Sequence, residues 1–350
     1  MNGHDFVNIV YNVPHDIPLK WQIATYFFLT GISAASFLIS TLAYVFGMQK
    51  FKPAGRIGAI MAPIVLIIAP IFLIIDLEQP LRFVNLLYMF NFRSPVTWGT
   101  FLLILYPLNC LIYLYHIIKS EGPPLPVLGL APARRPQLRP VAGGSQFASA
   151  EAVPYPIDAQ AKKLMKIFGS LGIPLAIMVH GYTGFIIGLG QGRAMWNVAL
   201  MPMYFLVSAM VSGAALLILA CIVKEKAFGS NATVTKFFPK ITNEVIYSLS
   251  KIAIGFITLD MLFVLSEMLV LSSSRPDDYA AALLLLQGNF APLFLGVQVG
   301  LGLIVPLIIL SLPKVNKSFA AISAACVLTL IGVYAMRIVT VVGGQMIPLN

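Results

Sequence analysis

Charge is what this 350-residue chain has least of. Asp, Glu, Lys and Arg together make up 10% of it, where soluble domains carry about a quarter. Hydrophobic residues make up 59% and the mean hydropathy is +0.88. An ordinary water-soluble globule is thereby excluded. Cysteine is nearly absent, with three residues far apart at 110, 221 and 326. That excludes a disulfide framework and leaves no ligand spacing for a zinc or iron–sulfur site. Histidine is as scarce, at four. His116 and His180 fall at opposite ends of their segments, so no pair of axial haem ligands is formed and no haem is expected. Acidic residues number 13 against 23 basic ones, for a net charge of +10. In so apolar a sequence this excess reads as Lys and Arg retained in cytoplasmic loops, not as a nucleic-acid surface.

What is present is apolar runs of membrane-spanning length. A transmembrane helix needs roughly 20 such residues, and eight segments qualify: 21–46, 57–76, 97–118, 165–189, 198–223, 248–271, 290–312 and 319–342. In lipid each backbone must satisfy its own hydrogen bonds, so these are helices. None alternates in polarity as a barrel strand does. No removable signal peptide is evident, and the first span is expected to direct its own insertion. Sixteen of the 23 Lys and Arg fall in the loops after spans 1, 3, 5 and 7. The positive-inside rule then places both termini on the outer, periplasmic side of a prokaryotic inner membrane.

The expected fold is all-α and integral to the membrane, with eight helices in two four-helix bundles. Residues 1–20 form an outer tail, and 21–118 hold spans 1 to 3. Residues 119–164, with prolines at 123, 124, 126, 132, 136 and 140 and the run Gly143-Gly144-Ser145, read as an extended cytoplasmic linker. Residues 165–223 hold spans 4 and 5, span 4 completing the first bundle, and 224–350 hold spans 6 to 8. The halves echo one another faintly. Phe28-Leu29 and Phe205-Leu206 each precede a run of small residues, 31–36 and 208–215, of the kind that lets helix backbones approach.

Ionisable groups within spans cost about 2.5–3.5 kcal/mol on insertion scales and need a reason. Asp76 and Glu78 end span 2, with Arg82 four residues beyond Glu78. His180 and Tyr182 lie in span 4, Asp260 and Glu267 in span 6, and Arg337 in span 8. Nearly all fall in the outer halves. Asp260 and Glu267, seven apart, share a helix face about 10 Å apart, as a pair of proton carriers would; interhelical hydrogen bonding is the structural alternative. Arg337 must face protein, with a buried carboxylate its natural partner. His180 and Tyr182 lie on different faces of one helix. Trp21, Trp98 and Trp196 read as a headgroup belt, and the cysteines as small packing residues.

Four stretches together resemble the NrfD/PsrC family, the polysulfide-reductase-type membrane subunits. They are WQIATYFFLTGISAAS from Trp21, DLEQPLRFVNLLYMFNFRSPVTWG from Asp76, GYTGFIIGLGQGRAMWN from Gly181, and IGVYAMRIVTVVGGQ from Ile331. The resemblance implies a subunit with no redox cofactor and no catalytic centre of its own. It implies binding of a quinone (menaquinone or ubiquinone) near the outer face, and docking of a four-cluster iron–sulfur subunit there, with a molybdopterin catalytic subunit beyond it. Tyr182 matches the family's quinone-site tyrosine. Ile23 and Tyr26 stand where the polysulfide-reductase relative has Asn and His, so Tyr26 would supply a hydroxyl for an imidazole. The expected quinone site is therefore Tyr26, Glu78, His180 and Tyr182. Asp76, Asp260, Glu267 and Arg337 are the candidates for proton transfer. From composition alone, a secondary transporter with four-plus-four helices is the alternative.

Overall fold

The computed structural model describes residues 17–77, 79–121, 159–229, 231, 234, 237–313 and 318–347. Among them eight helices are long and apolar enough to cross a membrane, and there is no strand. The helices are α1 (Trp21–Tyr44), α2 (Lys52–Asp76), α3 (Pro95–Glu121), α4 (Ala159–Gly188), α5 (Met201–Phe228) and α6 (Asn243–Ser273). A short helix α7 (Pro276–Leu286) follows. Span 7 is a π-helix (Pro292–Ile304) that continues as α8 (Val305–Ser311), and span 8 is α9 (Phe319–Val341). One end of the bundle carries Trp21, Asp76 and Pro95 and is called here the terminal end. The other carries Lys52 and Lys162 and is called the lysine end.

Each of the eight expected spans is present, with differences at the margins. The linker is shorter than its composition suggests: α3 runs to Glu121 and α4 starts at Ala159, so both flanks of the Pro-rich segment are helical, and 122–158 lie outside the described residues. The α7 helix sits in a stretch expected to be loop. Pro276 opens it, Asp277 and Asp278 occupy its first turn, and Asp278 accepts a hydrogen bond from the Arg275 N–H at 3.1 Å. This is ordinary helix-start chemistry.

Two helices form the middle. Of their most apolar windows, 78% of α1 and 72% of α5 are buried, against 28% for α6. The cause is the small-residue runs. A Cβ added at Gly31 would touch Ala209, and one at Gly213 would collide with the Ile32 carbonyl. Phe27 packs edge-on against Phe205 with ring centroids 5.6 Å apart. Around this pair, α1 contacts α2, α4, α5 and α9, while α5 contacts α1, α4, α6 and α9. The remaining spans turn apolar stripes outward, as α2 does with Ile64, Ile67, Ile68, Ile71 and Ile75, a spacing that defines one helix face.

The π-helix is long for its kind, since such winding usually appears as single-turn bulges. Gly296, Gly300 and Gly302 fall within it. At Gly302 it crosses α9 so closely that a Cβ at either Gly302 or Gly332 would strike the other's backbone. Gly332→Leu is therefore expected to lower the thermal midpoint in detergent, since overpacking costs about 1–3 kcal/mol or more. Gly296→Ala, where an added Cβ meets nothing within 4 Å, should leave the midpoint unchanged. Equal midpoints for the two variants would refute the crossing.

Candidate functional site

The largest fully buried side chain is Arg337 on α9, 1% exposed. One terminal nitrogen, Nη2, donates to Ser208 Oγ at 2.6 Å and to the Phe205 carbonyl at 3.2 Å. The guanidinium lies over the Phe205 ring, 4.0 Å from its centroid, a cation–π contact. Its Nε and Nη1 have no hydrogen-bond partner among the described residues. The nearest opposite charge is Asp260 on α6, 3% exposed. The two act on each other electrostatically without closing to an ion pair, and Asp260 Oδ1 is also unpartnered. Buried charges left in this state are costly, and such open valences mark a place for water or an exchanging proton.

Glu267 lies two turns along α6 toward the terminal end and acts electrostatically on Asp260 and on Tyr204. Tyr204 Oη accepts a hydrogen bond from Gln298 Nε2 at 2.9 Å, and Gln298 Oε1 is unpartnered. A crevice of about 10 Å³, lined by Tyr204, Ser266, Glu267 and apolar side chains, adjoins this group. That is room for about one water.

His180 on α4, 1% exposed, joins the string from the other side. It acts electrostatically on Arg337, its ring stands edge-on to Tyr106, and Nε2 faces Ser33 Oγ at 3.4 Å. The Ser33 hydroxyl has one proton, which it donates to the Thr30 carbonyl at 2.7 Å. Its lone pairs therefore face His180, and Nε2 is the protonated nitrogen. That leaves Nδ1 as a buried acceptor with no partner.

Tyr182 points elsewhere, as the faces of α4 require. It is half-buried, and its hydroxyl donates to the Pro95 carbonyl at 2.9 Å. Its ring occupies the space that a side chain at Gly99 would fill. With its proton committed to Pro95, Tyr182 Oη can only accept from a ligand. Tyr26 is buried at 4% exposure and acts electrostatically on Tyr182. Asp76, at the half-exposed end of α2, faces Lys20 but makes no hydrogen bond among the described residues. Glu78 lies outside the described residues. The structure thus brings His180, Arg337 and Asp260, all buried, and the partly exposed Glu267 into one polar string, sets Tyr26 within electrostatic reach of Tyr182, and leaves Asp76 apart from both groups.

Some members of this arrangement do not stand out in the sequence. Tyr204 reads there as one more interfacial aromatic, and Ser208 and Ser33 as small packing residues. Gln298 is legible as the one polar side chain in PLFLGVQVGLGLI, but it is uncharged, and the cost of burial singles out charged positions. Trp196 corrects the aromatic belt. Trp21 and Trp98 are about half exposed, but Trp196 is buried at 8%, and its Nε1–H donates to the Thr340 carbonyl at 2.7 Å. Arg193 covers its ring and donates to the carbonyls of Gln345 and Ile347. Gln345 in turn holds both backbone groups of Leu19. Beside this clasp, the segment between α2 and α3 exposes Leu81, Met89, Phe90 and Phe92, with Phe90 and Phe92 stacked on Phe101.

Comparison with known proteins bears on this arrangement. The sequence model of the family described as "Polysulphide reductase, NrfD" matches residues 10–349. The protein is 27% identical to a selenate reductase subunit from Mesobacillus selenatarsenatis, over 93% of its own length and 74% of that relative. It is 28% identical to a polysulfide reductase polypeptide of Wolinella succinogenes, over 93% of each. It is 26% identical to the Hdr-like menaquinol oxidoreductase integral membrane subunit of Archaeoglobus fulgidus, over 92% of its own length and 69% of that relative.

Mutual dependence of Arg337 and Asp260 is measurable. Arg337→Met is expected to destabilise by leaving Asp260 without its cation, and Asp260→Asn in that background should recover part of the loss. The expected coupling is about 0.5–3 kcal/mol, read from unfolding midpoints of the two single variants and the double variant. Strict additivity would show that the two groups do not interact.

Proposed function

Because the chain belongs to the NrfD polysulphide reductase family, we propose that it is the quinol-binding membrane subunit of a multisubunit respiratory oxidoreductase. It is a multi-pass protein of the prokaryotic inner membrane, and its family consists of membrane subunits of reductase complexes. The observation that carries the reading is the polar string from His180 through Arg337 and Asp260 to Glu267. No packing need accounts for four ionisable side chains drawn from three helices inside a membrane, three of them with open valences.

Oxidation of a quinol yields two electrons and two protons. The protein must orient the two hydroxyl groups, accept the protons and keep the path out of lipid. Tyr182 is half-exposed at the terminal end of α4, where a molecule entering from the bilayer would meet it. With its proton held by Pro95, it accepts from an O–H and does not donate to a carbonyl, which favours the reduced form of the ligand. Tyr26 lies deeper, within electrostatic reach of it. Glu78 is proposed as a further partner of the ligand and Asp76 as an outer proton acceptor. His180 Nδ1 receives a proton. Asp260 and Glu267 carry it on, with Arg337 stabilising their charged forms, and the crevice beside Glu267 holds water for the last transfer.

Electrons pass to an iron–sulfur partner on the outer face, with a molybdopterin catalytic subunit beyond it. Support for the docking side is the exposed apolar group Leu81, Met89, Phe90 and Phe92 beyond the end of α2. We assign the terminal end to the periplasm from the Lys and Arg distribution. We also read the spans as two four-helix bundles joined through α1 and α5. The contacts within each half correspond: α1 with α2 as α5 with α6, α3 with α4 as span 7 with α9, and α1 with α4 as α5 with α9.

In the intact complex, His180→Ala combined with Tyr182→Phe is expected to lower quinol-linked turnover roughly 100-fold, within the range general acid–base groups contribute. Unchanged turnover and unchanged inhibitor sensitivity would remove the site from these residues. Asp260→Asn with Glu267→Gln should slow turnover and abolish proton release on the exit side. If both continue at wild-type rate, the string is structural. Reporter fusions at residue 350 and within 122–158 test the orientation, with activity of a periplasmic reporter expected only at the former.

A further inference from the structure

The lysine end holds a second cavity, unrelated to the polar string. It measures about 220 Å³ and lies where α1 ends, α2 and α4 begin and α3 ends. Lys52, Lys162 and Lys166 line it, together with Ser120, Gln49 and Tyr44. Lys162 and Lys166 are four apart on α4 and so share a face. Among the described residues, none of those that line it is acidic. Counting Glu121, which follows Ser120 in the sequence, still leaves an excess of positive charge. Lys50, the neighbouring lysine, is not among the lining residues and is held by Glu244 at 2.8 Å.

The cavity owes its shape to one turn. Gly47 takes a φ of +76°, and an added Cβ there would meet nothing within 4 Å. The left-handed backbone therefore calls for glycine at this point, not crowding. The turn folds Gln49 and Lys52 back over the end of α1. It also leaves Phe46 and Met48, which flank it, 63% and 50% exposed. Cations around a space at the ends of four spans, bordered by bare apolar side chains, match an amphiphile with an anionic head and hydrocarbon tails. A free inorganic anion would gain nothing from Phe46 and Met48.

We propose that this cavity is a binding site for the phosphodiester headgroup of an acidic phospholipid, held by Lys52, Lys162 and Lys166 with Ser120 as a hydroxyl partner, and with the acyl chains beside Phe46 and Met48. Basic pockets between transmembrane helices take such headgroups. The site is remote from the quinol residues, and its readout is lipid binding, so it stands or falls separately from the redox reading.

The test uses the whole complex purified in mild detergent. Phosphatidylglycerol in mixed micelles is titrated against wild type and against Lys52→Gln/Lys162→Gln/Lys166→Gln. A matched control carries Lys163→Gln/Lys226→Gln/Lys251→Gln, three exposed lysines outside the cavity. At about 1 kcal/mol per lysine near a headgroup, the cavity variant should bind roughly 100-fold more weakly, and the control should match wild type. Phosphatidylglycerol, and not phosphatidylcholine, should raise the thermal midpoint of wild type and of the control but not of the cavity variant. Equal losses in both triple variants would show only general surface attraction and overturn the site. Displacement of the lipid by millimolar inorganic phosphate, with the same gain in midpoint, would overturn the lipid assignment in favour of a free-anion site. Where the cavity variant fails to assemble, Ser120→Asp, which adds a negative charge inside the same space, should weaken binding while the complex stays intact; unchanged binding would equally overturn the site.

Discussion

The approach of α1 to α5 is the constraint on which the remainder depends. Lipid offers no hydrophobic force to push helices together, so they must associate by close van der Waals packing. Small side chains at Gly31, Ala209, Gly213 and Ala35 supply that packing by letting the two backbones meet. Because the central pair contributes little side-chain bulk, longer polar groups from the surrounding helices can reach inward. Arg337 passes from α9 to Ser208 and Phe205 on α5, and His180 passes from α4 to Ser33 on α1. A bulkier seam would hold those helices further out and leave the charged groups facing hydrocarbon.

The hydroxyls of the centre follow one rule. Thr30, Ser33, Ser208 and Ser212 each donate to a carbonyl of their own helix three or four residues back. They satisfy their protons locally and offer only lone pairs across the interface. Ser208 therefore receives the Arg337 guanidinium, and Ser33 receives His180 Nε2. The hydrogen-bond direction of the site is thus fixed by residues that carry no charge.

Much of this architecture is legible in the amino-acid sequence. The eight spans follow from apolar run length, and the α1–α5 seam follows from the paired small-residue runs after Phe28-Leu29 and Phe205-Leu206. The separation of His180 from Tyr182 follows from helical geometry, and the burial of Arg337 and Asp260 from the cost of charge in lipid. The rest is hidden for physical reasons. Trp196 and Trp98 are equivalent in sequence, and only tertiary packing decides which ring is buried. The crossing of α9 by residues 292–304 at Gly332 is a contact between segments 30 residues apart. Gln298 escapes notice because uncharged polar groups are common enough in spans to pass unremarked. The cavity at Lys52 joins residues from four helices, so no local pattern announces it.

The clasp at the terminal end has a bearing on how the protein is made. Gln345 binds Leu19 across 326 residues, and Trp196 reaches Thr340 across 144. A polypeptide that emerges from the ribosome in order exposes Leu19 and Trp196 long before their partners exist. The first spans must therefore wait in the bilayer with this end open until α9 is inserted and shuts it. Contacts of such sequence separation form late and carry a large entropic cost of closure. The earlier spans are in this sense held unfastened until α9 and the residues that follow it arrive to join them.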